Sequence, residues 1–371
     1  MDLYVYDLSF NLLGLVDDYE SLVWTRDFYK AGTFELQLSL PKSDADVASL
    51  FSLIKRGNIV VKDDNPQEAA VINFVSINGI KHERVTVKGS FLGDLLSRRT
   101  VWGEQENTGT IEDVMKAFVL DNCIAPTNQN RIIPSLALAP DSGVADNATE
   151  FSSENPSVSS WLNALAVKYD VGWRVLFDPV NTQYLFDVYR GRDLSYGQSE
   201  NPRAIFSLDF ENVNNQTLAD ADEDFKNMAI VAGEGDEATR RTVLINDALS
   251  GFERREIYID ASSVSKERED GTQIPDDEYD EILREYGLRE LSELKPLFTM
   301  QSDISVLSNL AYRKDFDLGD IVTIENRRWG VSLDTRITAV RETYEKTLMD
   351  VRVNFGSETP TLLDKIKKAV R

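Results

Sequence analysis

The sequence predicts a mixed, β-rich α+β protein with two similar β-barrel-like domains, an inserted small α/β domain and a helical insertion. Three observations predict this fold class. Short segments that alternate apolar and polar residues dominate both ends of the chain, as in half-buried antiparallel strands. One block of such segments occurs twice, and helical apolar stripes are concentrated between the two copies. Together they indicate duplicated β domains that carry insertions.

The first part of the repeat is a turn followed by an apolar run. RGNIVVKDD at residues 56–64 parallels LGDIVTIEN at residues 318–326, so that Gly57 matches Gly319. A unit present only twice indicates duplicated domains, because a solenoid needs about three repeats to bury a core. Chance similarity between two hairpins is the alternative, since Gly-Asn or Gly-Asp before an apolar run is common turn chemistry. We expect both glycines to have positive φ.

The second part of the repeat is a strand that ends at Gly-Ser. VTVKGS at residues 85–90 parallels VRVNFGS at residues 351–357, where Gly356 ends the run. The predicted segments are 1–100 for the first β-barrel domain, 101–203 for the inserted α/β domain, 204–260 for strands completing the barrel region, 261–300 for the helical insertion, and 301–371 for the second β-barrel strands and a C-terminal helix.

The first segment contains the clearest strand of the chain. Phe34, Leu36, Leu38 and Leu40 alternate with polar residues until Pro41 ends the run. Ser43 and Asp46 have capping-box spacing, so a short helix is expected before Gly57. Further strands are predicted at 3–8 and 21–26, around a turn region at 11–18, and at 59–62, 70–77 and 84–88, the last two joined by Asn78-Gly79.

The middle of the chain has a helical pattern. Thr110 is a helix cap, followed by an i, i+3, i+4, i+7 apolar stripe that starts at Ile111. The polar stretch 139–156 is expected to be a long surface loop. A second helix with an apolar stripe runs from Val158 to Tyr169, and two strands follow at 173–177 and 184–189.

The remaining elements follow the same two patterns. Segment 261–296 is expected to be mostly helical, with Gly287 breaking the helix in two. Leu362, Leu363, Ile366 and Val370 predict a last, Lys-rich helix. Strands are predicted at 204–210, 227–232, 242–245, 255–259, 321–324, 336–340 and 349–355.

Composition limits the function. The 371 residues are 42% hydrophobic and include 17 Phe, 13 Tyr and 5 Trp, enough to fill several cores. A single cysteine, Cys123, excludes an internal disulfide and a multi-thiolate metal site. A net charge of −23 repels phosphate backbones, which argues against nucleic-acid binding. The sequence predicts no signal peptide and no membrane anchor.

Several residue patterns could carry chemistry, and each has a simpler interpretation. Gly233, Gly235 and Ala238 have dinucleotide-fingerprint spacing, but a strand pattern follows where a helix is required, so a hairpin loop is favoured. Asp220, Asp222, Glu223 and Asp224 lack the geometry of a calcium loop and indicate a solvated acidic loop. Asp276, Asp277 and Glu278 are better interpreted as a helix N-terminus.

Nucleophilic catalysis and zinc binding are disfavoured because His82 is the only histidine. A carboxylate pair of the glycosidase kind stays open, although no spacing among the 63 acidic residues selects one. We therefore expect no enzymatic activity, no cofactor and no metal.

A series of motifs in a fixed order resembles a known family. They are WTRDFYKAGTFELQLSLP, the strand after Gly57, FLGDLLSRR, WLNALAVKYD, GFERREIYID, FDLGDIV, RITAVRE and VNFG. This order resembles the siphophage tail-hub family, the N-terminal hub part of tail-associated (Tal-type) proteins, which is related in fold to the contractile-tail baseplate hub. The resemblance covers nearly the whole chain. The fold-signature positions are Arg26, Gly32, Gly57, Gly319, Asp320 and Gly356.

The resemblance implies a homotrimeric ring at the tail tip of the virion, assembled in the host cytoplasm. Two similar barrels in each of three subunits would adapt a threefold tip to a sixfold tail. The implied partners are the distal tail protein ring, the C-terminal end of the tape-measure protein, and receptor-binding or central fibre proteins. Genomic DNA would pass through an acidic channel without specific binding.

Two alternative functions remain open on the sequence alone. One is a hub or spike-base protein of a contractile injection device, which shares the fold class. The other is a cell-wall-active hydrolase, which a zymogram would detect. Many longer members of the family that the chain resembles carry a peptidase, a lysozyme-like domain or a fibre after the hub. Since this chain stops at Arg371, we expect another polypeptide to supply wall-degrading activity.

Overall fold

The computed structural model describes residues 1–79, 83–152, 155–236, 240–268, 271–292, 294–304, 309–345 and 348–356. The chain divides into a larger unit, Met1–Thr217 with Met300–Glu358, and a smaller unit whose described residues lie within Leu218–Thr299. His82, Ala238 and the predicted C-terminal helix lie outside the described residues.

The elements of the larger unit before the middle of the chain are mostly strands. They are β1 (Leu3–Tyr6), β2 (Leu12–Val16), β3 (Ser21–Asp27), β4 (Thr33–Ser39), α1 (Asp44–Leu53), β5 (Ile59–Lys62), β6 (Asn65–Asn78) and β7 (Arg84–Phe91). The middle elements are β8 (Gln105–Thr110), α2 (Ile111–Val119), β9 (Leu136–Leu138), β10 (Asn147–Ser152), α3 (Val158–Tyr169), β11 (Gly172–Asp178) and β12 (Gln183–Tyr189).

The later elements are divided between the two units. They are β13 (Ile205–Ser207), β14 (Val213–Ala221), β15 (Met228–Ala232), β16 (Thr242–Ile245), β17 (Glu256–Asp260), α4 (Asp276–Ser292), β18 (Leu297–Ile304), β19 (Ile321–Asn326), β20 (Val331–Glu345) and β21 (Leu348–Gly356). The predicted caps of the first two helices are confirmed: the Ser43 side chain accepts from the Asp46 amide, and Thr110 forms a capping box with Asp113.

The predicted repeat is present in the backbone hydrogen bonds. In the first copy, β5–β7, the Gly57 amide donates to the Ile72 carbonyl at 2.8 Å, and the Ile72 amide donates to the Asn58 carbonyl at 2.9 Å. In the second copy, β19–β21, the Gly319 amide donates to the Ile337 carbonyl at 2.9 Å, and the Ile337 amide donates to the Asp320 carbonyl at 2.8 Å. Both glycines have positive φ, +93° and +90°, as the turn pattern predicts.

The two copies also share an irregularity in the same place. The pairing of β6 with β7 shifts by one residue just after Ile72, which faces Gly89. The pairing of β20 with β21 shifts just after Ile337, which faces Phe355. A bulge at the same position in both copies indicates duplication rather than two unrelated hairpins, because bulges are specific features of a fold.

The copies do not form two separate barrels, which corrects the expected barrel architecture. Both belong to one 13-stranded sheet whose main path is β14-β18-β21-β20-β3-β4-β7-β6-β5-β1-β2, with β13 and β19 beside it. The hairpin β3–β4 joins them, since β3 pairs with β20 and β4 pairs with β7. Edge strands that pair this way merge neighbouring sheets. No sheet formed by the described strands closes into a barrel.

The inserted α/β segment shares a core with the first copy. Strand β5 is buried along its whole length, with Ile59 and Val61 facing one core and Val60 facing the other. The first core also contains the apolar stripes of α2 and α3, so segment 101–203 packs directly on the first copy. Two-sided burial explains why the run from 59 to 61 is continuously apolar.

The smaller unit has its own core. Strands β16, β15 and β17 form a three-stranded sheet, and α4 packs against one face of it. Segment 204–260 was predicted to complete the barrel region, but its strands β15, β16 and β17 belong with α4 rather than with the large sheet. This division differs from the predicted boundary at 261.

Helix α4 corrects the prediction for Gly287. The helix is continuous from Asp276 to Ser292, and Gly287 is buried inside it. A Cβ atom on Gly287 would lie 2.3 Å from Val231 Cγ2 and 2.5 Å from Ile245 Cδ1. The glycine is therefore required by close helix-to-sheet packing and is not a C-terminal breaker.

Three other expectations were wrong in part. The region predicted as a turn at 11–18 contains strand β2, which pairs with β1. The predicted surface loop 139–156 contains β10, which pairs with β8. Of the segment 261–296, predicted as mostly helical, the described residues are helical only in α4. No helix in the described part of the chain is both long and apolar enough to span a membrane.

Candidate functional site

A set of buried and half-buried hydrogen-bonding side chains lies where the two copies meet within the large sheet. We call it the buried ion network, and its members are Trp24, Arg26, Lys62, Glu68, Tyr312, Arg313, Asp317, Glu342 and Tyr344. It takes side chains from strands β5 and β6 of the first copy, from β20 of the second copy, from β3 between them, and from the segment before β19, which contains Tyr312, Arg313 and Asp317.

Strand geometry places these side chains inside the protein. Successive side chains of a strand point to opposite faces, so Leu22, Trp24 and Arg26 of β3 share one face. They are 0%, 0% and 6% exposed. On β20 the same period places Glu342 and Tyr344 on one face, at 0% and 6% exposure. Polar residues at these buried positions need partners from neighbouring strands.

One half of the network is organised by Arg26. Its Nε donates to Glu68 Oε1 at 2.6 Å, and its Nη1 donates to the Tyr312 hydroxyl at 2.8 Å and to the Asp317 carboxylate. Trp24 Nε1 donates to the other oxygen of Glu68 at 2.8 Å. The guanidinium and both oxygens of Glu68 are thus held in one geometry, as in strong charge-assisted pairs.

The other half is organised by Glu342. The carboxylate forms an ion pair with Lys62 and accepts hydrogen bonds from Tyr344 at 2.7 Å and Tyr312 at 2.8 Å. Arg313 Nη2 lies 2.8 Å from the same carboxylate. Tyr312 connects the two halves, because its hydroxyl accepts from the first half and donates to the second.

The electrostatics favour the charged state of Glu342. Burial alone would raise the pKa of its carboxyl, but the charges of Lys62 and Arg313 and the hydrogen bonds lower that pKa to about 2. Burial and the neighbouring Glu342 charge raise the pKa of the Tyr344 hydroxyl. Burial also raises the pKa of Tyr312. At neutral pH the carboxylate is therefore ionised and both tyrosines are neutral.

The arrangement is suited to holding strands together. Its three cations, Arg26, Lys62 and Arg313, form ion pairs with the carboxylates of Glu68, Asp317 and Glu342. The carboxylate of Asp64, which is 36% exposed, also lies 3.5 Å from Lys62 and 3.6 Å from Arg313. Removing one member of such a set leaves an uncompensated buried charge, whereas the intact set fixes one geometry. The network therefore joins the first copy to the second in a specific register.

Two of the predicted fold-signature residues lie at this junction. Arg26 is central to the network. Asp320, which is 3% exposed, accepts from the backbone amide of Arg192 at 2.7 Å and from its guanidinium at 2.7 Å. Asp320 also accepts from the Asp317 amide at 2.9 Å, which places it directly beside the network.

The predicted glycines have local backbone roles. A Cβ atom on Gly32 would lie 2.3 Å from the Thr25 carbonyl oxygen, so the turn between β3 and β4 requires a glycine. Gly356 has a φ of +78°, and its carbonyl accepts from the Thr338 hydroxyl at 2.6 Å. Gly57 and Gly319 begin the two copies of the repeat.

Sequence reasoning missed the other network members, above all Lys62 and Glu342. A signal for Glu342 exists in the pattern of β20. Val340, Glu342 and Tyr344 follow one another at a spacing of two, which places the carboxylate on the apolar face. Lys62 follows an apolar run whose residues are all buried. That run does not alternate between apolar and polar residues, so the sequence pattern does not indicate that Lys62 is buried.

The other chemical candidates have structural roles where the structure describes them. Gly233 and Gly235 follow β15, and Ala232 faces Thr242 of the antiparallel strand β16, so the described residues confirm the hairpin interpretation. Asp276 and its acidic neighbours lie in the first turn of α4, as predicted. Burial raises the pKa of Cys123 to about 12. Within the described residues, no group of three or more His, Cys, Asp or Glu is placed to hold a metal ion.

The fold is shared with phage tail proteins of known structure. The 43 kDa tail protein of prophage MuSo2 from Shewanella oneidensis superposes with a TM-score of 0.55 at 11% identity, over 96% of this chain and 98% of that one. The tail protein from Neisseria meningitidis MC58 gives 0.54 at 13% identity, over 96% of each chain. Prophage tail protein gp18 from Listeria monocytogenes EGD-e superposes with a TM-score of 0.52 at 11% identity, over 100% of this chain and 98% of that one.

The chain itself belongs to the family of siphovirus ReqiPepy6 Gp37-like proteins, whose model matches residues 2–357. This membership and the shared fold confirm the resemblance to siphophage tail components that the sequence motifs indicated. Among curated proteins, no sequence matches this chain.

Proposed function

We propose that this protein is a structural component of the siphophage tail tip. In this proposal it is a homotrimeric hub that adapts the threefold tip to the sixfold tail tube, closes the tube and forms part of the DNA ejection channel. Its place is the virion, after assembly in the host cytoplasm, and its role is not enzymatic.

The observation that carries the proposal is the duplication. Each chain contains two copies of one three-stranded unit, with the same glycine-initiated turn and the same bulge. Three chains therefore carry six equivalent units. A head-to-tail interface that closes after three subunits would arrange these units in a ring with approximate sixfold symmetry. Membership in a siphovirus protein family supports the same assignment.

The proposed partners follow from this position. The distal tail protein ring would lie above the hub, the C-terminal end of the tape-measure protein inside it, and receptor-binding or central fibre proteins below or around it. The net charge of −23 would let DNA pass without binding. A positive electrostatic potential along the channel of the assembled ring would contradict the last point.

Mass measurement of the purified chain, alone and mixed with the distal tail protein, tests the proposal. Light scattering should detect three copies of the 41.9 kDa chain, and the mixture should contain three hub chains for every six ring chains. A chain that stays monomeric at high concentration, both alone and in the mixture, would overturn the hub assignment.

A further inference from the structure

The smaller unit has an open sheet face with an apolar row across it. In the sheet of β15–β17, Ala229 and Val231 face α4, so the alternate residue Ile230 faces away from the helix. Ile230 is paired directly with Leu244 on one side and with Tyr258 on the other. Leu244 is 44% exposed and Tyr258 is 58% exposed. We call Leu244, Ile230 and Tyr258 the apolar row.

A fully exposed aromatic side chain lies in the same unit. Phe252 is in the connection between β16 and β17, and its relative exposure is 105%. The connection is held by hydrogen bonds: Arg254 donates to the Asp247 carbonyl and carboxylate, each at 2.9 Å, and Asn227 donates to the Glu253 carbonyl at 2.7 Å. Because the loop is already ordered, little conformational entropy remains to be lost when Phe252 is buried by a partner.

The smaller unit that carries this surface is strongly acidic as a whole. Residues 218–299 contain 22 acidic and 10 basic side chains, a net charge of −12 out of −23 for the whole chain. Glu256 and Asp260 flank Tyr258 on the same face of β17, paired with Arg254 and Arg240. The long-range field of the unit therefore repels DNA, anionic lipid surfaces and a second copy of the same face.

We propose that the apolar row and Phe252 form a docking surface for another protein of the tail, one that presents an apolar pocket surrounded by Lys and Arg. Exposed aromatic side chains that fill pockets contribute most of the binding energy at interfaces. Charge complementarity gives the partner its specificity and speeds its association. The identification of the partner as a tail protein rests on the proposed function.

Crosslinking in assembled virions tests the proposal. Benzoylphenylalanine in place of Phe252 or Tyr258 should crosslink this chain to a different tail protein, through peptides rich in Lys and Arg. The same photoreactive residue in place of Val180, which is 88% exposed in the larger unit, is the matched control and should not give that product. No crosslink at 252 and 258, a crosslink to a second copy, or the same product from position 180 would overturn the proposal.

Binding measurements with the purified crosslinked partner add a second test. Phe252→Ala and the pair Leu244→Ser with Tyr258→Ser should each weaken affinity by at least about tenfold. Val180→Ser should leave affinity unchanged, and added salt should slow association. Unchanged affinity for the Phe252 and row variants would contradict the docking surface. Failure of the hub assignment would show separately, as absence of the chain from virions or as a monomeric mass.

Discussion

Lys62 and Glu342 lie 280 residues apart in the sequence and form an ion pair in which neither side chain is exposed to solvent. Lys62 belongs to the first copy of the duplicated unit and Glu342 to the second. Burying two charges is costly unless both are paired and hydrogen-bonded, and here Tyr344 contacts both of them. The pair therefore makes the correct arrangement of the two copies a condition for stability.

Removing the charge of Glu342 tests this role. Glu342→Gln keeps the size of the side chain but removes the buried carboxylate that Lys62 and Arg313 share, and leaves them only the more distant, 36% exposed carboxylate of Asp64. We expect the free energy of unfolding to fall by about 3–5 kcal/mol, because a buried charge loses its partner. Urea unfolding at pH 7 measures the change.

The control for this variant is an exposed ion pair in the same unit. Arg84 lies 3.3 Å from Glu20 and is 66% exposed, so Arg84→Gln should cost less than about 1 kcal/mol. The double replacement Lys62→Met with Glu342→Leu should recover most of the stability that Glu342→Gln loses. Equal effects of Glu342→Gln and Arg84→Gln would show that the network does not join the copies.

The pH dependence of stability should carry a signature of Glu342. Its pKa is about 2 in the folded chain and near 4.5 when unfolded. The stabilisation is complete above pH 4.5 and is lost as pH falls toward 2, because the unfolded chain then binds a proton that the folded chain does not. The stability difference between the native chain and Glu342→Gln should therefore shrink between pH 4.5 and 2.5. If the urea midpoints of the native chain and of Glu342→Gln differ by the same amount throughout this pH range, Glu342 does not have the lowered pKa.

The duplication could be predicted from the sequence because it depends on local chemistry. Gly57 and Gly319 begin turns that require positive φ, and the apolar alternation after them identifies the strands. One detail could not be predicted. The sequence pattern aligns Gly89 with Gly356, but the structure shows that this alignment is wrong by one residue. Gly89 faces Ile72 in the first copy, and Phe355 faces the equivalent Ile337 in the second.

The assembly of the copies could not be predicted because it depends on contacts that are distant in the sequence. Nothing in the pattern of β3 indicates that it pairs with β20, more than 300 residues later, and this pairing turns two expected barrels into one sheet. The buried ion network has the same origin. Arg26 was identified as a signature position, but its partner Glu68 lies on another strand and has the sequence pattern of a surface residue.

The two repeat glycines should differ in their tolerance of substitution. A Cβ atom on Gly57 would have no other atom within 4 Å, so Gly57→Ala meets only the strain of positive φ, about 1–2 kcal/mol. At Gly319 the Cβ atom would also lie 2.5 Å from Phe28 Cε2, and this clash should lower the free energy of unfolding by a further amount of about 1–3 kcal/mol. The melting temperature of Gly319→Ala should therefore be lower than that of Gly57→Ala.

Valine at either position should disrupt folding, because a β-branched side chain at positive φ is strongly disfavoured. Gly197→Ala is the control, since its nearest neighbour is 4.0 Å away and its φ is not in the left-handed region. Normal soluble yield and an unchanged melting curve for Gly57→Val or Gly319→Val would show that these turns do not require glycine.

Substitution of Gly287 should act on the smaller unit through packing rather than helix propensity. Alanine at an exposed helix position would stabilise the helix by about 1 kcal/mol relative to glycine. Here the added methyl group would lie 2.3 Å from Val231 Cγ2 and 2.5 Å from Ile245 Cδ1, so we expect Gly287→Ala to destabilise the unit by about 1–3 kcal/mol. Val231→Ala in the same chain should restore part of that loss, because it removes the nearer methyl group. Hydrogen exchange of the amides in β15, β16 and α4 measures both effects locally. Slower exchange in Gly287→Ala than in the native chain would mean that the helix lies farther from the sheet than these distances indicate.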